Sequence, residues 1–306
     1  QEQLCVSPGI IPALYQLTES LCAPGERVLI NTPAYGYFLH AAEYAHRKAL
    51  LSPLGRDQQG RFSVDWADFE AKCAQPQCKL VFWCNPHNPT GRMWTEEELR
   101  RAGEIMQKYN LWVVSDEIHC DLSRCGRRHI PLAKVLPDYP KLITCMAPTK
   151  TFNLAGLAFS NIIIRDPALR AAFRDRDKLF GMVNPLSLTA AKAAYDKGGP
   201  WLEELRAYLD GNFAFVRDFL AAELPDAGMH LPEATYLAWV DLSRCLPDVE
   251  DLPGFFANEA GVLLEGGDAL FVGNARGYVR LNLAMPRSVL RTGLERMRDA
   301  IRRHHS

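Results

Sequence analysis

The stretch KLITCMAPTK, Lys141–Lys150, decides how this chain must fold. A short, β-rich apolar run ends at a proline and is followed by a single lysine. Four further runs have the same character: RVLINTP (27–33), KLVFWCNP (79–86), LWVVSDE (111–117) and AFSNIIIR (158–165). Continuous apolar runs of this length suit strands buried on both faces, and helical stretches separate them. The pattern therefore predicts a mostly parallel sheet with helices on both faces, an α/β layer fold.

One intervening helix is readable in detail. TEEELRRAGEIMQKYN starts at Thr95 and carries Glu98 three residues later, which is a capping box, followed by apolar residues at helical spacing. After about residue 185 the pattern changes to long helices, including Trp201 to Leu224. Short strands in ATYLAWVDL and GYVRLNLAMP and a terminal helix from Arg287 follow. This predicts two domains: a large α/β domain over 1–185 and a smaller α+β domain over 186–306.

Composition narrows the partners. Of 306 residues, 48% are hydrophobic, which supports a sizeable core, and the formal charge of -1 provides no basic field for nucleic acid. No apolar run is long enough to span a bilayer, and QEQLCVSPG lacks the features of a signal peptide. Nine cysteines without repeated spacing fit reduced thiols, so a cytoplasmic protein acting on a small molecule is expected. IHCDLSRCGRRH gathers His119, Cys120, Cys125 and His129 but lacks the close CxxC pair of a zinc site, so no metal is expected.

In open α/β sheets, ligands bind beyond the carboxyl ends of the strands. The residues there are Tyr35, Asn88, Asp116, His119 and Lys150. A strand-end lysine near a carboxylate, an amide and an aromatic ring points to an imine with an aldehyde cofactor, because burial frees the nucleophilic amine. Pyridoxal 5'-phosphate is the leading candidate. Asp116 would keep its pyridine nitrogen protonated, Asn88 would bond the phenolic oxygen and Tyr35 would lie on the ring face. In SPGIIPALYQLTESL a turn at Gly9 opens a helix, whose Ile10 and Ile11 amides would hold the phosphate.

NPHNPTG, SDEIH, APTKTFNLAGL and YVRLNLAMP occur in this order. In these motifs the chain resembles the class I/II aminotransferases of the aspartate aminotransferase fold, and within them the carbon–sulfur β-lyase branch that includes cystathionine β-lyases and cystalysin. The resemblance runs from Ser7 to the C-terminal helix. It implies that Lys150 is the cofactor-linked lysine and that Arg280 grips the substrate α-carboxylate. His119 stands where many aminotransferases carry a tyrosine, and Ala158 where they often carry a phosphate-binding arginine. Thr149 could offer its hydroxyl to the phosphate instead.

The implied activity is β-cleavage of cystathionine or a cysteine conjugate to a thiol, pyruvate and ammonia. Transamination to a 2-oxo acid is the alternative, and a third reading is a partner-binding regulatory protein on the same fold. A homodimer is implied too. Family members carry a segment ahead of the phosphate turn, so the chain is expected to be an N-terminally shortened fragment.

Overall fold

The computed structural model describes residues 2–57, 60–177 and 183–305. Its main sheet has seven strands, in spatial order Leu4–Ser7, Ser160–Ile164, Leu142–Met146, Trp112–Asp116, Cys78–Cys84, Arg27–Thr32 and Lys48–Pro53. Only Ser160–Ile164 runs against the others, pairing antiparallel with both of its neighbours. All five apolar runs therefore form strands in this sheet.

Alternation explains why the runs are continuously apolar. In Cys78–Cys84, Val81 and Trp83 face one core with Phe69, Leu99 and Met106, whereas Leu80 and Phe82 face a second core with Leu14, Val114 and Ile143. Successive strand side chains point to opposite faces, so a strand covered on both sides needs apolar residues at every position. The helix Glu96–Lys108 begins at the expected capping box: Thr95 Oγ1 accepts from the Glu98 amide at 3.1 Å, and Glu98 Oε2 accepts from the Thr95 amide at 2.8 Å.

A second, four-stranded antiparallel sheet is ordered Gly228–Met229, Leu237–Asp241, Tyr278–Asn282, Glu265–Gly266. Its core joins Phe213, Val216 and Leu220 from the helix Gly199–Glu223 to Phe256 and to Leu290, Leu294 and Met297 of the terminal helix Arg287–His304. We propose the two-domain division at 185/186 that the sequence suggests, with the helix Gly199–Glu223 as the connecting beam. Its first half lies over the large domain, where Leu202 and Leu209 pack with Leu122. The Ser187 hydroxyl likewise donates to the Leu157 carbonyl.

Two contacts hold these parts in register at the site. Ala34–Tyr35 pairs antiparallel with Phe271–Val272. The loop 87–94 also receives the segment 232–234, whose Glu233 and Ala234 amides donate to the Gly91 carbonyl at 2.9 and 3.0 Å. Gly91 has φ +67°, and a Cβ there would stand 2.2 Å from Pro232 Cβ, so the motif NPTG needs its glycine for both reasons.

Candidate active site

Every candidate site residue singled out from the sequence lines one cavity of about 1130 Å³: Gly9, Ile10, Ile11, Tyr35, Asn88, Asp116, His119, Thr149, Lys150 and, from the middle of the second-sheet strand Tyr278–Asn282, Arg280. Topology is the cause. Leu4–Ser7 and the parallel strands end on the same side of the sheet, so their following residues meet there. The antiparallel strand Ser160–Ile164 begins on that side, which brings in Ala158.

Lys150 sits in the short helix Pro148–Thr151 just beyond Leu142–Met146 and is only partly exposed. Burial, and then the nearby Arg280 guanidinium, lower its pKa, with Glu265 and Asp116 opposing. A larger share of this amine is consequently neutral than of a surface lysine. Asp116 closes its strand and is buried, and one carboxylate oxygen accepts from the Ile118 amide at 3.1 Å. Burial drives its pKa up to about 7; neighbouring Glu117 adds to the rise, while the Ile118 amide and Lys150 oppose it. Such a carboxyl is poised to take or share a proton with a basic nitrogen in the cavity.

His119 is buried, and desolvation, Lys150 and Arg280 together lower its pKa to about 3, leaving the ring neutral. Its Nδ1 has no hydrogen-bond partner among the described residues, and its ring meets Tyr236 edge-on at 6.1 Å. Arg280 is buried as well. Its Nη1 donates to Asn88 Oδ1 at 2.9 Å and its Nε to Glu265 Oε2 at 2.9 Å, with Nη2 on the same Glu265 oxygen. The guanidinium lies 5.0 Å from the Phe271 ring and 5.9 Å from the Tyr35 ring.

At the far end, Gly9 has φ 147° and ψ 163° and starts the helix Ile10–Leu21, which has no side-chain cap. Its first amides are thus available to an anion, and only glycine adopts that backbone readily. These observations fit pyridoxal phosphate: an anion site at a helix start, a buried carboxyl, an amide, an aromatic ring, an orphaned imidazole nitrogen and a lysine with a lowered pKa line one cavity.

Sequence reasoning missed three contributors. Glu265 and Tyr236 line the cavity from the second sheet and the segment before it, and no spacing in the sequence links them to Lys150. Glu117 is fully buried behind Asp116. It accepts from Ser115 Oγ at 2.8 Å and from the Leu132 amide at 3.1 Å, and it contacts His129 Nε2 at 2.7 Å, so it fixes the strand end that carries Asp116. His129 therefore lies on a carboxylate. Cys125 is placed on Asp210, and among the described residues no group of three or more His, Cys, Asp or Glu could hold a metal ion.

Asp116 gives a pH prediction. A carboxyl whose native pKa is raised binds more protons when folded than when unfolded. Its contribution is full below the unfolded value near 4 and is lost as pH rises through about 7. Buried His87 and His119 act in the opposite sense in both proteins and cancel from a difference. For the cofactor-free protein, the stability of Asp116→Asn relative to the parent should rise from pH 4 to 7 and then level off. Urea unfolding at each pH checks this, and a flat difference would contradict it.

The family model for aminotransferase class I and II matches residues 1–297. Cystathionine beta-lyase PatB of Bacillus subtilis strain 168 is 39% identical over 304 residues, covering 98% of this chain and 78% of PatB. Protein MalY of Escherichia coli K12 is 35% identical, covering 96% of this chain and 75% of MalY. The crystal structure of a PLP-bound C-S lyase from Staphylococcus hominis superposes with a TM-score of 0.94 at 45% identity, covering 98% of this chain and 78% of that one. Among the described residues, no helix is long and apolar enough to cross a membrane.

Proposed function

Because the chain belongs to the aminotransferase class I and II family, we propose that it is a pyridoxal phosphate-dependent carbon–sulfur β-lyase, cleaving cystathionine or a cysteine conjugate to a thiol, pyruvate and ammonia. The observation that carries this reading is the convergence of Lys150, Asp116, Asn88 and Arg280 on one cavity, in a chain 39% identical to a cystathionine β-lyase.

When bound, the cofactor supplies an electron sink for the pair left as the substrate's α-proton departs. Gly9, Ile10 and Ile11 would hold its phosphate, with Thr149 beside them, and Tyr35 would cover the ring. Asn88 and His119 would face the phenolic side, and Asp116 would hold a proton at the ring nitrogen. Arg280 would grip the substrate carboxylate, which orients the α-carbon toward Lys150. The Lys150 amine, whose neutral form is favoured by burial and by Arg280, then takes the α-proton as general base. The thiolate leaves from the β-carbon, and the remaining unsaturated amine hydrolyses in water.

A cytoplasmic homodimer is part of this proposal. Among the described residues none of the nine cysteines forms a disulfide, which supports a reducing compartment. Exposed Leu186, Leu188, Tyr195 and Trp201 support a covered face.

The deciding experiment follows pyruvate from cystathionine with no 2-oxo acid added. Steady release of pyruvate with equimolar ammonia is expected. Turnover that requires a 2-oxo acid acceptor would make the protein a transaminase instead.

A further inference from the structure

Arg280 does not face the cavity alone. Glu265 is its direct cross-strand partner, since Glu265 and Arg280 are paired in the antiparallel register of the second sheet. Residues opposite one another on neighbouring strands project to the same face, so this carboxylate stands beside the guanidinium by construction of the sheet. It receives both Nε and Nη2, while Nη1 goes to Asn88. The Arg280 side chain is 8% exposed and that of Glu265 is 52% exposed, so one partner is fixed and the other can move toward solvent.

The consequence is electrostatic. Arg280 and Glu265 together carry no net charge, and any carboxylate arriving at Arg280 must share it with Glu265. An amino acid brings an ammonium along with its carboxylate, so the local sum stays at zero. A 2-oxo acid or a simple carboxylate brings only the negative charge and leaves an excess of one. Glu265 also offers the ammonium a partner of opposite sign: at Lys150 it favours the charged form, against the larger opposing effect of Arg280.

We propose that Glu265 is a specificity-determining residue of the substrate site, selecting zwitterionic amino acids over plain carboxylates and 2-oxo acids at Arg280. This rests on reading Arg280 as the group that binds the substrate carboxylate. It adds a reason for lyase rather than transaminase behaviour. A 2-oxo acid acceptor is disfavoured where it would have to bind, and pyruvate is kept from returning to the site.

The test titrates the pyridoxal phosphate-loaded protein with three probes by calorimetry, which needs no turnover: propionate, pyruvate and glycine. In Glu265→Gln, propionate and pyruvate should bind about tenfold more tightly, with glycine changed less than about twofold, the size expected for one half-exposed like charge a few ångströms away. Glu265→Asp, which keeps the charge, should resemble the parent, and thermal unfolding reports whether each variant is folded. No tightening, equal tightening of all three probes or a uniform loss of binding would each overturn the proposal; the last would mean that Glu265 merely positions Arg280. Failure to release pyruvate from cystathionine would count against the lyase reading and leave the titrations interpretable.

Discussion

Lys150→Ala should lower turnover by at least about 10³-fold, the range associated with losing a positioned general base, while leaving the fold intact. The structure separates these two effects. Lys150 is only partly buried, and its charged form is disfavoured first by desolvation and then by Arg280. Deleting it removes an unfavourable charge, so the melting temperature should stay level or rise. Asp116, Asn88, Arg280 and the Gly9 turn remain, so pyridoxal phosphate should still associate but without the visible absorbance of a lysine-linked cofactor. Parallel assays of pyruvate release, visible absorbance and thermal unfolding check this. Activity within tenfold of the parent would reject Lys150 as the base.

Arg92→Ala should produce the largest loss of stability. The side chain is 2% exposed, and its Nη1 donates to Glu233 Oε2 at 2.9 Å, its Nε to the Phe62 carbonyl at 2.8 Å and its Nη2 to Glu98. Glu233 is itself 8% exposed and also accepts from the Met93 amide at 2.8 Å. Truncating Arg92 strands that carboxylate, and breaking a buried pair from one side costs about 3–5 kcal/mol. Arg61 at 3.3 Å and Arg127 at 3.6 Å still face Glu233, so the lower end, about 3 kcal/mol, is expected from urea unfolding. Arg92→Met combined with Glu233→Gln should recover more than half, because no charge is then left buried and the Gln oxygen can still accept from Met93. A loss below about 1 kcal/mol for Arg92→Ala would show that the pair is solvated and surface-like.

Glu233 belongs to the segment docked on Gly91, between Asn88 on one side and Tyr236 on the other. The same pair that stabilises the fold therefore also holds two walls of the cavity in place. Arg92→Ala should weaken substrate binding along with stability.

Several features were fully present in the sequence. Buried strands must be apolar at every position, so the five central runs announced themselves. The Thr95–Glu98 box marked a helix start because those two side chains satisfy amides that nothing else can reach. The edge strands Leu4–Ser7 and Lys48–Pro53 gave no such signal. A short or half-covered edge tolerates polar residues, and LCVS and KALLSP read equally well as loop.

The site divides along the same line. Chain order and residue type placed Tyr35, Asn88, Asp116 and Lys150 at strand ends, and one shared strand direction was enough to bring them together. Glu265, Tyr236 and the Glu117–His129 pair were settled by the tertiary structure alone, because strand register across the second sheet and packing behind Asp116 depend on contacts between distant segments. Local sequence specifies what a residue is and which face it takes. Which charge stands beside Arg280 is decided only when Glu265 and Tyr278–Asn282 pair in one register, 15 residues apart in the chain at that pair.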